Sequence, residues 1–195
     1  DVLPYLDEMD EAARAIGAVN TIVNRDGRLY GYNTDCPGFR YMMRQSGVSP
    51  TGKKVLVLGT GGAAQAVLAA LTMEQAAEII SVSRSSRPDA VTYEECVRRH
   101  ADAGLIVNTT PVGMYPHTEE SPLDLRPFTR CEAVLDLIYN PAETCLTAQA
   151  RSLGMKAATG LTMLVAQAKY ACELFLDTRL DDGLIPAITK ELCHE

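Results

Sequence analysis

A glycine-rich turn near residue 60 has the residue types and spacing needed to bind a diphosphate. Gly59, Gly61 and Ala64 form a G-x-G-x-x-A pattern between a Val- and Leu-rich stretch at residues 53–58 and an Ala-rich stretch at 63–73. In this setting the first glycine permits a tight turn, the second lets the backbone approach a pyrophosphate, and the alanine keeps a helix close to its sheet. Exposed N–H groups and the helix dipole then favour phosphate. The pattern predicts a dinucleotide site, and a glycine-rich turn without a ligand is the alternative.

The residues after the second strand of this unit indicate which dinucleotide would bind. A site for NAD usually carries Asp or Glu there, hydrogen-bonded to the ribose 2′-hydroxyl. The stretch from residue 81 to 87 contains no carboxylate. It holds four candidate ligands for a 2′-phosphate instead: Ser83, Arg84, Ser85 and Arg87. Guanidinium groups bond phosphate bidentately, so the stretch predicts NADP, against the alternative of two solvated arginines on a loop.

Strand and helix patterns alternate along the chain, and the elements that they predict must position these residues. Apolar and β-branched runs predict strands at residues 18–23, 29–32, 53–58, 77–82, 104–109 and 133–138. Helical patterns cover residues 2–15, 39–43, 63–73, part of 91–100 and 163–176. Asp26 and Gly27 predict a hairpin turn, and Thr34 and Asp35 are natural helix caps before Pro37. The alternation predicts an α/β domain with a parallel sheet.

Composition narrows the class of protein further. The chain has 195 residues, 47% hydrophobic and 22% charged, as in a globular domain rather than a disordered segment. Its net charge of −7, with scattered basic residues, argues against nucleic acid, and no apolar run is long enough to span a membrane. The six cysteines form no C-x-x-C pair, which predicts free thiols in a reducing cytoplasm. His100, His117 and His194 follow no ligand spacing, so we expect surface histidines and no metal site.

Four further stretches make the interpretation specific. They are GAVNT at 17–21, NTDCPG at 33–38, NTTPVGM at 108–114 and GLTML at 160–164, the last followed by Gln167 and Ala168. Together with the glycine-rich turn, their identity and order resemble shikimate dehydrogenase over nearly the whole chain. The resemblance implies reversible, NADPH-dependent reduction of 3-dehydroshikimate to shikimate. It also implies two α/β domains around a cleft, one of them a doubly wound parallel sheet of Rossmann type.

The resemblance also assigns expected roles to individual residues. Asp35 matches the aspartate of the family's catalytic Lys–Asp pair. The expected substrate ligands are Asn20, Asp35, Tyr139 and Gln167. The expected pyrophosphate contacts are Gly59, Thr60, Gly61, Gly62 and Ala63. Ser83 and Arg84 match the family's 2′-phosphate loop, although Arg87 stands one position earlier than the family's second basic residue. The expected residues near the nicotinamide or on a loop beside the cofactor are Thr109, Met114, Leu137 and Gly160.

Each of these residues has a simpler structural explanation when taken alone. Asp35 is well suited to cap a helix. Asn20 is unfavourable in an apolar strand, so a ligand or a hairpin contact must explain it. Tyr139 could be a core aromatic with a solvated hydroxyl, and Gln167 a buried amide bonded to backbone. Only the joint pattern favours function.

The resemblance further implies a domain plan. Residues 1–34 correspond to the last part of a substrate domain, 35–160 to the NADP-binding Rossmann domain, and 161–195 to helices that pack back on the substrate domain. The segment with the family's catalytic lysine would fall before residue 1. We therefore expect a truncated chain that keeps cofactor binding, loses turnover and exposes a surface that favours self-association into a homo-oligomer.

Three other functions remain as alternatives at this stage. One is a quinate/shikimate dehydrogenase that uses NAD or NADP. Another is a non-catalytic nucleotide-binding module. The third is a different Rossmann enzyme, such as a glutamyl-tRNA reductase, against which the stretches at 33–35 and 160–168 argue.

Overall fold

The computed structural model describes residues 2–193. These residues form two β-sheets and the helices that accompany them. The first unit contains a 3-10 turn (Leu3–Tyr5), β1 (Glu8–Met9), α1 (Glu11–Ile16), β2 (Thr21–Arg25) and β3 (Arg28–Tyr32). The second contains α2 (Asp35–Gln45), β4 (Lys54–Leu58), α3 (Gly62–Met73), β5 (Glu78–Ser83), β6 (Val91–Thr92), α4 (Tyr93–Arg99), β7 (Leu105–Asn108), β8 (Ala133–Asp136), α5 (Cys145–Ser152) and β9 (Lys156–Thr159). Helices α6 (Leu161–Leu176) and α7 (Leu184–Leu192) follow.

The larger sheet is parallel and has the strand order β6-β5-β4-β7-β8-β9. The direction in which successive strands are added reverses between β4 and β7, which is the doubly wound Rossmann arrangement and confirms the predicted fold class. Leu58 at the end of β4 lies beside Val82 of β5 and Asn108 of β7. Ligands of such sheets bind outside the carboxyl ends of the strands at this switch point. The fold therefore places the glycine-rich turn where a nucleotide would bind.

The central strands are buried on both faces, which explains why their sequences lack polar alternation. Val55 and Val57 of β4 belong to a core shared with α2, α3 and α6. Leu56 and Leu58 point the other way, into a core shared with α4 and α5. All four side chains are fully buried. The glycine-rich turn thus follows a strand that is held firmly on both sides.

The smaller sheet has the order β1-β3-β2 and contains the predicted hairpin. Asp26 and Gly27 have φ angles of 51° and 84°, as a type I′ turn requires. The Asn24 side chain accepts a hydrogen bond from the Gly27 N–H at 2.9 Å. This sheet leads directly into α2, so it positions the residues around 33–35.

The predicted helix over residues 2–15 is wrong, because two carboxylates divide that segment. Asp7 accepts the backbone N–H of Leu29 at 2.7 Å, and the next two residues then pair with β3 as strand β1. Asp10 accepts the N–H of Ala13 at 2.7 Å and starts α1 there. The apolar spacing that suggested one long helix belongs to three short elements.

The remaining predicted strands and helices are present with shifted ends. Outside residues 2–15, three elements were not predicted, namely β6, α5 and β9, whereas α7 was expected only through the domain plan, which assigned helices to residues 161–195. Helix α5 begins with a capping box in which the side chains of Thr144 and Thr147 each accept a hydrogen bond from the other's N–H. This cap, together with the burial of Leu146 and Ala150, explains how such a short stretch forms a helix.

Three expectations about composition can be compared with the described residues. Over residues 2–193, no helix combines the length and the apolar character that a bilayer crossing needs. All six cysteines are free, as predicted, with three buried and three exposed. His117 is exposed as predicted, whereas His100 is half-buried and its Nδ1 has no hydrogen-bond partner within the described part of the chain. The prediction for His194 falls outside the described residues.

Candidate functional site

A cleft of about 360 Å³ lies at the carboxyl ends of β4, β5 and β7. The predicted cofactor residues that line it are Gly59, Thr60, Gly61, Ser83, Arg84, Ser85, Arg87 and Thr109. Its wall also includes Val82, Tyr93, Thr110, Pro111 and Val112. The parallel sheet brings these residues together because the ends of neighbouring strands meet at one edge.

The turn after β4 combines one glycine that the fold requires with two that leave room. Gly59 has a φ of +107°, and a Cβ atom there would lie 2.7 Å from the Oγ1 of Thr109. Its N–H donates to the carbonyl of Val82 at 2.8 Å. A Cβ atom at Gly61 or Gly62, by contrast, would have no heavy atom within 4 Å. The space before the α3 N-terminus is therefore open, and its N–H groups and dipole suit a diphosphate.

The loop after β5 supplies the cations expected at a 2′-phosphate. Ser83 is buried, and its Oγ accepts the N–H of Ser85 at 3.3 Å. Arg84 is exposed, and within residues 2–193 no carboxylate forms an ion pair with it. Arg87 instead pairs with Asp89, the first carboxylate after β5, with 3.0 Å between Nε and Oδ1. The donor set of this loop fits a phosphate better than a ribose hydroxyl, which calls for a carboxylate at the strand end.

Tyr93 is a cleft residue that the sequence interpretation did not single out. It is the first residue of α4, and it lines the cleft together with Arg84. Burial raises the pKa of the Tyr93 hydroxyl, and the positive charge of Arg84 partly offsets that rise. The only feature of the sequence that could have indicated Tyr93 was its aromatic side chain with a polar hydroxyl, placed directly after the short strand β6.

A second group of polar side chains lies where the hairpin, α2 and α6 meet. We call Asn20, Thr34, Asp35 and Gln167 the polar cluster. The Oδ1 of Asn20 accepts the N–H of Thr34 at 2.9 Å and lies 3.1 Å from the Oγ1 of Thr21. The Oγ1 of Thr34 is 3.2 Å from the same Asn20 oxygen and 3.3 Å from the Oε1 of Gln167. Thr34, which sequence analysis treated only as a helix cap, therefore joins two of the predicted substrate ligands.

The structure also changes the description of Asn20 itself. The residue is exposed and directly precedes β2, rather than lying inside an apolar strand. Its backbone N–H donates to the carbonyl of Tyr32 at 3.0 Å, across the hairpin. Because its side-chain oxygen is occupied by Thr34 and Thr21, its amide N–H groups are the atoms left to face Asp35 or a ligand.

Asp35 lies in the first turn of α2, but another residue caps that helix. The Oδ1 of Asn33 accepts the N–H of Cys36 at 3.2 Å, so Asn33 performs the capping expected of Thr34 or Asp35. Asp35 is half-buried, and this burial raises the pKa of its carboxyl group above the usual range. The neighbouring Asn20 side chain lowers the pKa in part. The carboxylate is thus held next to Asn20 within the polar cluster, without a capping role.

The other predicted site residues lie outside the lining of the cleft. They are Gly62, Ala63, Met114, Leu137, Tyr139 and Gly160. Met114 and Tyr139 are 42% and 50% exposed, so the alternative that Tyr139 is a core aromatic is wrong. Gly160 packs so tightly on the backbone of Leu137 that a Cβ atom would collide with the Leu137 carbonyl. Gly160 therefore fixes the point at which α6 begins, and through it the position of Gln167 on that helix.

A buried carboxylate joins the ends of the two strands beside the cleft. The Oδ1 of Asp136 accepts the side-chain amide of Asn108 at 2.9 Å and the N–H of Ile138 at 3.1 Å, while its Oδ2 accepts the hydroxyl of Thr144 at 2.8 Å. Burial raises the pKa of Asp136, and these hydrogen bonds partly offset the rise. Asp136 thereby orients the loop that carries Leu137. An acidic residue at the end of an apolar strand was the available signal.

No protein-family model matches the chain. The chain is 38% identical to "Shikimate dehydrogenase (NADP(+))" of Moorella thermoacetica, in an alignment that covers 97% of this chain and 70% of that protein. The chain belongs to the shikimate dehydrogenase family. This confirms the resemblance that the sequence motifs indicated and excludes an unrelated Rossmann enzyme such as a glutamyl-tRNA reductase.

Solved structures of shikimate dehydrogenases share the fold over almost the whole chain. A chorismate mutase/shikimate 5-dehydrogenase fusion protein from Clostridium acetobutylicum has a TM-score of 0.94 at 37% identity, with 99% of this chain and 73% of that chain covered. Shikimate 5-dehydrogenase from Thermus thermophilus, solved in complex with NADP(H) and shikimate, has a TM-score of 0.82 at 32% identity, with 97% and 74% covered. The two-sheet arrangement described above is therefore that of the shikimate dehydrogenase family.

Proposed function

We propose that this chain binds NADP(H) in the cleft beside β4 and acts in the reversible reduction of 3-dehydroshikimate to shikimate. The observation that supports this most directly is the pairing of an open glycine turn with a cationic loop that lacks a carboxylate at the end of β5. Such a loop favours NADP over NAD, since a 2′-phosphate needs donors and a ribose hydroxyl needs an acceptor.

The turn and the loop would divide the binding of the cofactor. The N–H groups at Gly61 and Gly62 face the pyrophosphate, Arg84 and Ser85 face the 2′-phosphate, and Thr109 closes the turn from the side of β7. When bound, NADPH supplies the hydride. The chain's own residues hold the two substrates and control where the proton moves.

The polar cluster would hold the polyol substrate. Asn20 and Gln167 present amide groups whose orientations are set by Thr34, and amides of this kind bond sugar-like hydroxyls. Asp35 accepts a hydrogen bond from the substrate hydroxyl at the reacting carbon and takes part in the proton movement at that oxygen. Burial raises the pKa of the Asp35 carboxyl group, so it holds a proton to a higher pH than an exposed carboxyl group does.

Cofactor binding tests the proposal without requiring turnover. Isothermal titration with NADP⁺ and with NAD⁺ should show tighter binding of NADP⁺. Replacing Arg84 by Ala should weaken NADP⁺ binding by about 10- to 100-fold, the value of one charge-assisted hydrogen bond, and leave NAD⁺ unchanged. Arg126→Ala is the matched control, because Arg126 is also exposed but pairs with Asp124 away from the cleft.

Two results would count against this assignment. Equal affinity for NADP⁺ and NAD⁺ would favour a quinate/shikimate enzyme of relaxed cofactor use. Binding of neither cofactor by a folded chain would leave only a structural role for the glycine turn. A separate assay of NADP⁺-dependent shikimate oxidation measures turnover directly.

Location and assembly are part of the same proposal. We place the protein in the cytoplasm because its six cysteines are free thiols, as is usual in a reducing compartment. Self-association is supported by exposed apolar side chains on α6, where Phe175 and Leu176 are 58% and 65% exposed. Sedimentation velocity measures the oligomeric state directly, and a monomer at high concentration would contradict this part.

A further inference from the structure

The loop between β5 and β6 is short for the connection that it makes. Val82 and Ser83 of β5 pair in parallel with Val91 and Thr92 of β6, so residues 84–90 span the whole crossover. Parallel strands are usually joined by a dozen or more residues, most often with a helix. Here a single bridge between Arg87 and Ala90 and one ion pair within the loop take the place of that helix.

That ion pair joins Arg87 to Asp89 through two nitrogens of the guanidinium group. The Nε of Arg87 lies 3.0 Å from Oδ1 of Asp89, and the second contact, from Nη2 to Oδ2, is 3.4 Å. Arg87 lines the nucleotide cleft and also a shallow groove on the flank of β5, whereas Asp89 lines that second groove. Asp89 therefore engages the guanidinium of a residue that the cleft and this second groove share.

The two possible partners of Arg87, the Asp89 carboxylate and a phosphate, accept hydrogen bonds from a guanidinium in the same way. A guanidinium presents two parallel N–H donors to a carboxylate or to a phosphate, and one fork serves one of them at a time. Arg84, the residue directly after β5, forms no such pair within residues 2–193. The sequence predicted that both arginines bind the 2′-phosphate. Arg84 is available for that contact, whereas Arg87 is already paired with Asp89.

We infer that Asp89 competes with the 2′-phosphate of the cofactor for Arg87 and so sets how strongly this chain prefers NADP over NAD. The inference rests on the proposed NADP site. Asp89 lowers the affinity for NADP in two ways: its ion pair with Arg87 must open, and its charge repels the incoming phosphate. Neither effect reaches NAD, which carries no 2′-phosphate.

The first experiment replaces Asp89 by Asn, which keeps the shape of the side chain and removes its charge. Titrations would use NADP⁺ and NAD⁺, and also adenosine 2′,5′-bisphosphate and 5′-AMP, which differ only in the 2′-phosphate. Binding of the two 2′-phosphorylated compounds should tighten by about three- to tenfold, as expected for an exposed charge a few ångströms away. Binding of NAD⁺ and 5′-AMP should not change. Asp124→Asn is the control, since Asp124 forms the equivalent exposed pair with Arg126 outside the cleft.

A double-mutant cycle separates competition for Arg87 from simple charge repulsion. If Asp89 acts through Arg87, most of the gain from Asp89→Asn should disappear in an Arg87→Gln background. A gain of the same size in that background would overturn the competition. So would weaker NADP⁺ binding by Asp89→Asn, because Asp89 would then be orienting Arg87 towards the phosphate.

The same titrations distinguish failure of this inference from failure of the proposed function. If the unmodified chain binds NADP⁺ and Arg84→Ala weakens that binding, the NADP site stands. An unchanged affinity of Asp89→Asn would then overturn only the role of Asp89. If the unmodified chain binds no 2′-phosphorylated compound, both are overturned together.

Discussion

The nucleotide cleft and the polar cluster are built in opposite ways. The cleft is open, and its floor is the backbone of one continuous strand–turn–helix unit, with exposed cationic side chains at its rim. The polar cluster is half-buried, and its side chains already bond one another across the chain, as Thr34 and Gln167 do over 133 positions. Room and free donors suit a phosphate, whereas amides that are oriented in advance suit a polyol.

Gly160 tests the structural link between the two regions and should give the largest effect. The Gly160→Ala variant places a Cβ atom against the Leu137 carbonyl, so either the β8–β9 edge or the start of α6 must move. We expect a loss of about 3 kcal/mol or more in the free energy of unfolding. For a chain of this size that corresponds to a fall in Tm of about 6–12 °C in calorimetry. An unchanged Tm would show that the contact can relax.

Gly61 is the matched glycine on the open side of the comparison. An Ala side chain at this position meets no atom within 4 Å, and the φ of −82° is one that alanine adopts freely. The Gly61→Ala variant should therefore keep its stability within about 0.5 kcal/mol. It should nevertheless weaken NADP⁺ binding by about tenfold or more, since the added methyl group occupies the space needed for close approach of the pyrophosphate. Full NADP⁺ affinity in this variant would contradict the proposed cofactor position.

Thr34 tests the prearranged side of the comparison. The Thr34→Val variant keeps the shape of the buried side chain but removes the hydroxyl that lies within hydrogen-bond distance of Asn20 and Gln167. We expect a loss of about 1–2 kcal/mol in the free energy of unfolding, and weaker binding of shikimate, with NADP⁺ affinity unchanged. The Thr34→Ser variant retains the hydroxyl and should behave much like the original chain. Equal behaviour of the Val and Ser variants would remove Thr34 from the cluster.

Replacing Asp35 should give the smallest effect. It should raise the free energy of unfolding, whereas the Gly160 and Thr34 replacements should lower it. Because burial raises the pKa of Asp35 in the folded state, its ionised form costs stability above the pKa of the unfolded chain, near 3.8. The Asp35→Asn variant should then be more stable than the original chain at neutral pH, by up to about 1 kcal/mol given the partial exposure. The gain should vanish as the pH falls below about 4, where the carboxyl group is protonated in both states. Urea titrations at about pH 3.5 and pH 7 measure this difference, and a loss of stability at neutral pH would contradict it.

The strand–turn–helix around Gly59 could be predicted because every residue that defines it lies close to the next along the chain. The segment at residues 2–15 was predicted wrongly for the converse reason. Its apolar spacing is helical, but the contact of Asp7 with Leu29 is made by a strand that follows a hairpin. Helix α5 was missed because it is short: only Leu146 and Ala150 form its buried apolar face, and the Thr144–Thr147 cap starts it.

The site residues divide along the same line. Arg84 and Arg87 could be proposed from the sequence as phosphate ligands, but the carboxylate that occupies Arg87 follows it by two residues and pairs with it only because the loop turns back at Ala90. Asp35 could be proposed as a substrate ligand only through the family resemblance. That Asn33 caps α2 in its place is a fact of the tertiary structure.

The sequence by itself determined the parallel α/β class, the glycine turn, the absence of a carboxylate at the end of β5 and the family, because these depend on residue type and on neighbours along the chain. The tertiary structure decided which arginine is available, which residue caps α2, and how Thr34 joins Asn20 to Gln167. The physical reason is that hydrogen bonds and ion pairs need atoms about 3 Å apart, and only the folded backbone sets those distances, whether the residues are two positions apart, as Arg87 and Asp89 are, or 133 apart, as Thr34 and Gln167 are.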